Sequence, residues 1–239
     1  MVTDAGGVIA FGEIHQTTAT AKVKSAIARF TDEILPVVAP YTAHLVVETW
    51  MTTGACGESE ARVTAEVART TERPAETEDE IVRLMRRAKE LGVAPHVLGI
   101  ECKEYRALAG GAGRNGQAEG LDYDKLLTIT RQHLQRAIQQ ALLLPRGTSR
   151  PLVIVYGGAL HNDLYPDPTL ANYSFGPAIH AFARGAYLEV DLYVPQMIEA
   201  IPALRAEPWY AGWQKLAAAN NRPALVRRSA RSSIIVFGR

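Results

Sequence analysis

Val8-Ile9-Ala10-Phe11-Gly12-Glu13-Ile14-His15 and Leu152-Val153-Ile154-Val155-Tyr156-Gly157-Gly158-Ala159-Leu160-His161 decide how this chain reads. Each is an uncharged apolar run, rich in β-branched residues, that passes into Gly-x-x-His. Runs of that kind suit strands buried on both faces, as in parallel α/β sheets. Each histidine then falls where a strand gives way to a loop. In such sheets that end is where ligands and catalytic groups collect. Two elements of one design, far apart in sequence, imply side chains brought together by folding.

Outward from these segments, strands and helices alternate. Strand one is expected over Gly7–Glu13, with a helical stretch from about Ala19 to Val38, and strand two over His44–Thr49. The polar, threonine-rich segment Thr52–Glu76 has weak helical periodicity around Ala61–Ala68. Thr77-Glu78-Asp79-Glu80 reads as a capping box, with Ile81, Leu84, Met85 and Ala88 on the apolar helical face and Gly92 as the stop. Strand three is expected over His96–Glu101. The glycine-rich stretch 109–120 follows and reads as a mobile loop. A long helix from Tyr123 to about Leu144 precedes strand four, Leu152–Gly157. After a helical stretch near Pro177–Arg184, Tyr187–Val194 alternates like a half-exposed strand, and Ser233–Phe237 reads as the last. This order predicts a single three-layer α/β domain over residues 1–239, with a mostly parallel central sheet and helices on both faces.

Lys+Arg 26 against Asp+Glu 25 leaves a net charge of +1, so no global field recruits nucleic acid or an anionic membrane. The local cluster Arg222, Arg227, Arg228 and Arg231 reads as a solvated face. No apolar run approaches the ~18 residues of a membrane span. No basic segment followed by an apolar one opens the chain. The expectation is a soluble protein, cytoplasmic, or periplasmic if a leader has been removed. Cys56 and Cys102 follow strands two and three, and both a bridge between those loops and two free thiols are open readings.

The expected strand ends deliver Glu13 and His15, then Glu48, then Glu101 and Cys102, then His161 and Asp163 to one edge. His44 and His96 fall at the opposite end and read as structural. Two imidazoles with carboxylates can hold a divalent metal that activates water. Alternatively, one histidine is a general base oriented by a carboxylate, with no metal. His-Glu-x-x-His is absent, so any site is assembled across the fold. Tyr165 and Tyr173 lie near His161 in sequence. His180 sits on an apolar helical stretch, where a core role or a supporting role beside the site suits it. Gly111-Ala112-Gly113-Arg114-Asn115-Gly116 matches the dinucleotide fingerprint by letters but does not open a helix directly from a strand. Trp209, Tyr210 and Trp213 suit packing of a helix on the core, or in part an exposed rim that grips a ligand.

Taken in order, Gly12-Glu13-Ile14-His15, the strand-ending Leu45-Val46-Val47-Glu48 and Gly158-Ala159-Leu160-His161 resemble the Tiki/TraB, ChaN and erythromycin-esterase-like superfamily. The resemblance covers about Val8 to His161 as an ordered set of short motifs. It implies different activities by branch. Tiki-like members are metal-dependent peptidases, which points to His15, Glu48 and His161 as metal ligands and catalytic groups, for zinc, manganese or cobalt. Esterase-like members imply His15 as a base without metal. ChaN-like members imply haem binding. The resemblance places Glu13 close by; from the strand ends and neighbouring segments, Glu101, Asp163, Tyr165 and His180 are expected around a peptide or small-molecule ligand. The chain departs from the esterase pattern in lacking a large helical insertion, and from many relatives in having Gln16-Thr17 after the first histidine.

Overall fold

The computed structural model describes residues 6–109, 121–146, 149–219 and 222–238. The strands are β1 Gly7–Glu13, β2 Thr42–Trp50, β3 Ala94–Leu98, β4 Leu152–Gly158, β5 Tyr187–Tyr193, β6 Ala224–Arg227 and β7 Ser232–Val236. The helices up to β4 are α1 Ala26–Arg29, α2 Leu35–Val38, α3 Glu58–Thr71, α4 Glu76–Glu90, α5 Cys102–Leu108 and α6 Tyr123–Leu143. After β4 come α7 Ala159–Asn162, α8 Gly176–Phe182, α9 Pro195–Ala200, α10 Pro202–Arg205 and α11 Tyr210–Ala219.

The sheet has seven strands in the order β3-β2-β4-β1-β5-β7-β6. All its pairings are parallel except that of β6 with β7. Alternate residues of β1, β2 and β4 feed opposite faces, as the period of a strand requires. Phe11, Leu45, Val47, Ile154 and Tyr156 pack with Phe30, Leu35, Leu84 and Ala88 from α4 and the α1–α2 stretch. Val8, Ala10, Val46, Val153 and Val155 pack with Leu134 and Ile138 of α6 and Ile179 of α8. Each fully buried aliphatic side chain stabilises by about 1.5–3 kcal/mol before entropy is counted. The architecture is the three-layer α/β arrangement that the alternation of elements predicts.

Local departures from the expected elements have identifiable causes. The first helix begins at Ser25, whose hydroxyl accepts from Ala28 N at 3.0 Å, rather than near Ala19. A π turn at Phe30–Ile34 then precedes Pro36, which has no N–H to continue an ordinary ladder. No capping box forms at Thr77. Pro74 starts the turn early, Ala75 is the N-cap, and Glu76, Glu78 and Asp79 all fall in the first turn, where they favour the helix dipole. Glu80 instead accepts a hydrogen bond from the Ser25 hydroxyl at 2.7 Å.

β3 ends at Leu98, short of the expected Glu101, which instead stands as the N-cap of α5. β5 is buried rather than half exposed. Its alternating polar residues, Glu189 and Asp191, point into the interior, where they meet Arg228. Arg228 keeps the exposure that the arginine cluster suggests, but its guanidinium is spent on these two carboxylates. The glycine-rich stretch 109–120 lies outside the described residues apart from Ala109, as does the fingerprint-like Gly111–Gly116. Among the described residues, no helix is long and apolar enough to cross a membrane.

Candidate active site

The two Gly-x-x-His elements lie side by side. β1 and β4 pair in register with Gly12 opposite Gly157 and Glu13 opposite Gly158. The glycines make room for the site against bare backbone. A Cβ on Gly157 would fall 2.5 Å from Glu48 Oε2, and one on Gly158 would fall 2.9 Å from His15 Nε2. Gly12 is equally constrained, since a Cβ there would lie 2.7 Å from the Cα of Ala159, where α7 begins.

β2 pairs with the other side of β4, so Glu48 reaches the same edge. Gly158 N donates to Glu48 Oε2 at 2.6 Å. The opposite oxygen, Glu48 Oε1, stands 3.8 Å from both His15 Nε2 and His161 Nε2. That is ion-pair range, beyond hydrogen-bond reach. Each ring is anchored at its other nitrogen: His15 Nδ1 to Glu13 Oε1 at 2.9 Å, and His161 Nδ1 to the Tyr173 carbonyl at 2.7 Å. Both anchors are acceptors, so each Nδ1 carries the proton and each Nε2 faces the Glu48 carboxylate. Tyr156 hydroxyl completes the set by donating to Glu13 Oε2 at 2.5 Å.

The electrostatics follow from this packing. Burial and the Arg73 charge work against protonated His15, yet the Glu13 and Glu48 carboxylates outweigh them and raise its pKa above the ordinary value. Burial alone would raise Glu48, but His161, His15 and Arg73 together hold its carboxyl far below the usual range. Burial pushes the Tyr156 phenol well up, and the Glu13 charge adds to the effect, so the hydroxyl stays a donor.

A cleft of about 650 Å³ opens over this cluster. Its floor is the strand ends, and its walls come from α3, the start of α4, Tyr105 of α5, and Leu126, Leu127 and Thr130 of α6. α3 presents Val63, Thr64, Val67, Ala68 and Thr71 to it, a one-sided helical stripe. The turn that starts α3 is tied by Glu60, whose carboxylate accepts from Thr53, Gly54 and Cys56 N. Cys56 and Cys102 form a disulfide, with Cα atoms 5.0 Å apart, that fixes this wall to α5.

Of the residues expected at the site, the fold brings together Glu13, His15, Glu48 and His161. The other four stand apart from the cleft lining. Glu101 is the N-cap of α5, where its exposed side chain pairs with Lys103, because β3 stops before reaching it. Asp163 closes a local turn by accepting from Tyr165 N at 2.8 Å, and Tyr165 itself is 64% exposed. His180 is at the C-terminal end of α8, beside Gly185 and so near the start of β5, toward the opposite end of the sheet. Trp209, Tyr210 and Trp213 pack with Tyr193, Ile234 and Val236 on the sheet and do not line the cleft.

Sequence reasoning passed over Tyr156, Arg73 and Tyr105, which all border the site. Tyr156 lies within the second motif, and its alternation with Ile154 placed it on the same strand face. Arg73, in the polar linker after α3, offered no comparable signal.

Imidazole nitrogens and a carboxylate are suitable donors for zinc or a similar divalent ion. Histidines bound that way characteristically donate their other N–H to a carboxylate or a carbonyl, as His15 and His161 do. Two ligands of a tetrahedral zinc stand about 3.4 Å apart, so the 3.8 Å separations would have to close by a few tenths of an ångström. Among the described residues, no three such side chains are drawn close enough to hold an ion as they stand.

Fold and site together define a three-layer α/β protein with a histidine–carboxylate cleft at the C-terminal edge of its parallel strands. No protein family, curated protein or solved structure matches the chain in comparison. The functional reading therefore rests on the chemistry of the cleft.

Proposed function

We propose that the cleft hydrolyses an amide or ester bond in a peptide or small molecule, using a divalent metal held by His15, His161 and Glu48. One observation carries this reading: the Nε2 atoms of two anchored histidines face a single oxygen of Glu48, with no hydrogen bond spent between them. A bound ion would polarise the scissile carbonyl and bring the pKa of water toward neutrality. The chain's own groups do the positioning. Glu13, steadied by Tyr156, fixes the His15 ring, the Tyr173 carbonyl fixes the His161 ring, and Gly158 N–H fixes Glu48. This arrangement supports the Tiki-like branch of the resemblance over the haem-binding one.

A second reading has its own observation. The Glu13–His15 hydrogen bond is that of a general base oriented by a carboxylate, which activates water without metal. Elemental analysis of protein purified without chelator separates the two. Stoichiometric zinc, manganese or cobalt, lost in His15→Ala along with hydrolysis of a peptide library, supports the metal-dependent enzyme. Hydrolysis that survives exhaustive chelation and still requires His15 supports the base. Peptide affinity without turnover, unchanged by chelator, overturns both in favour of a binding protein. A Soret band on adding hemin would point to haem.

A further inference from the structure

Two polar atoms in the cleft make no hydrogen bond to the cluster just described. Arg73 Nε is buried without a hydrogen-bond partner, and so is the hydroxyl of Tyr105, a residue only 3% exposed. Both residues line the cleft. A buried donor left unmade costs about 1–3 kcal/mol, so a chain keeps one where something else satisfies it.

Arg73 owes its position to local structure. α3 ends on Glu72 in the left-handed region at φ 47°, and the Glu72 carbonyl accepts from Thr18 N at 2.8 Å, just past His15. The next residue is therefore carried to the histidine end of the cleft. There its charge acts on His15, Glu48 and Tyr156 together. Of the carboxylates beside it, Glu13 is taken by His15 and Tyr156 and one oxygen of Glu48 by Gly158 N–H, while Glu48 Oε1 faces the two imidazoles. Arg73 joins none of the salt bridges among the described residues.

The stripe along α3 runs from this cationic end to an apolar one. Val63 packs with Tyr105, Leu108, Leu126 and Ile129, so the far end of the cleft is greasy, with the Tyr105 hydroxyl as its polar point. Val63 and Thr71 are eight residues apart on one helix, about 12 Å at 1.5 Å per residue. An extended chain of three to four residues covers that length at about 3.3–3.6 Å each.

We propose that Arg73 is the residue that selects the substrate, and that the substrate is a short acyl-amino acid or peptide with a free carboxylate near the scissile bond and an apolar group that enters the α3–α5–α6 chamber. This deepens the hydrolytic reading and rests on it for the reaction. Water adds its oxygen to the carbonyl carbon, the C–N bond breaks, and the proton goes to the departing amine, leaving an acid and an amine. Guanidinium matches carboxylate in planar, two-pronged geometry, which a lysine reproduces only as a point charge. Tyr105 donates to a carbonyl of the chamber-bound portion.

The test uses the full-length protein loaded with zinc and compares N-acetyl-leucyl-leucine with its C-terminal amide. Binding is measured by calorimetry and turnover by amine release. The free acid is expected to bind at least tenfold tighter than the amide. Arg73→Gln should abolish that preference, Arg73→Lys should keep part of it, and Tyr105→Phe should weaken both ligands alike. Equal binding of acid and amide to the wild type, or a preference that survives Arg73→Gln, overturns the proposal. So does an equal loss of kcat on both ligands in Arg73→Gln, which would make Arg73 a stabiliser of the reacting oxygen. An acid preference without turnover of either ligand sinks the hydrolytic reading while leaving Arg73 as the recognition residue.

Discussion

β5 carries Glu189 and Asp191 into the interior, while β1 and β2 deliver Glu13 and Glu48 to the edge of the same sheet. Both clusters set two largely buried carboxylates against basic groups, yet they are finished differently. In the β5 cluster all four carboxylate oxygens are taken, and the acceptor left over is the neutral Asn162 Oδ1. Arg228 spans both carboxylates, Ser232 hydroxyl donates to Glu189 at 2.9 Å, Leu164 N donates to it at 2.7 Å, and Asn162 reaches Asp191. At the edge, Glu48 Oε1 and two imidazole nitrogens face one another across 3.8 Å, with an unpartnered arginine nitrogen nearby. Saturation is what separates a cluster that holds a fold together from one that waits for a ligand.

The sharpest way to break this comparison is to exchange the consequences. Glu48→Gln should lower hydrolysis by about 10²–10⁴-fold, the range for losing a group that acts in the transition state, as read by initial rates. The amide still accepts from Gly158 N–H, so chemical denaturation should move by less than about 1 kcal/mol. Arg228→Met should do the reverse. It strands two carboxylates that are 2% and 6% exposed, at a cost of about 3 kcal/mol, seen as a thermal midpoint lowered by roughly 6–12 °C. Its specific activity, assayed below that transition, should be unchanged. Activity lost in Arg228→Met at full folding would show that the two clusters are one system.

Smaller effects sharpen the same contrast. Tyr156→Phe leaves one oxygen of Glu13 without its donor and loosens the His15 ring, so kcat should fall about tenfold with KM unchanged. The weakest expected effect concerns the other histidine pair. His44 and His96 meet at 3.0 Å at the N-terminal end of β2 and β3, away from the edge carboxylates. Burial lowers both pKa values, with the neighbouring His96 and Arg146 charges adding to the shift at His44. A group depressed in the fold contributes stability that is present above its unfolded pKa of about 6.5 and lost as pH falls through the folded value. His44→Gln should flatten the loss of stability below about pH 6.5. NMR titration should find His44 and His96 titrating below the ordinary value and metal-free His15 above it.

How much of this was legible depends on which force wrote each segment. β1, β2 and β4 are plain in the sequence because burial on both faces leaves each an unbroken apolar run, Val8–Phe11, Leu45–Val47 and Leu152–Val155. Their ends carry Glu13, His15, Glu48 and His161, so the heart of the site came with the strands. Glu101 was misplaced by the same logic, since its strand run stops at Leu98 and the residue caps a helix instead. α3 was faint because only Val63 and Val67 of its inward stripe reach an apolar cluster, while Thr64, Ala68 and Thr71 face the cleft and need not be greasy. Arg73 was invisible for a related reason: its place is set by the Glu72 turn and by Thr18, a contact between distant segments. β5 misled in the opposite sense, because alternation of charge there marks a buried ionic pair, where the usual cause is exposure to water.

The strand order also constrains how the chain is made. β4 lies between β1 and β2, yet it is synthesised more than a hundred residues after the first of them. Until residue 158 has emerged, β1 and β2 lack the partner that joins them, and their apolar faces stay open to aggregation. The Cys56–Cys102 bridge joins two segments that both precede β4. In an oxidising setting, the β2–β3 unit can be tethered while the chain is still growing. Late insertion of β4 then joins β1 to the β2–β3 unit and delivers His161 to its partners, with β5, β6 and β7 still to follow.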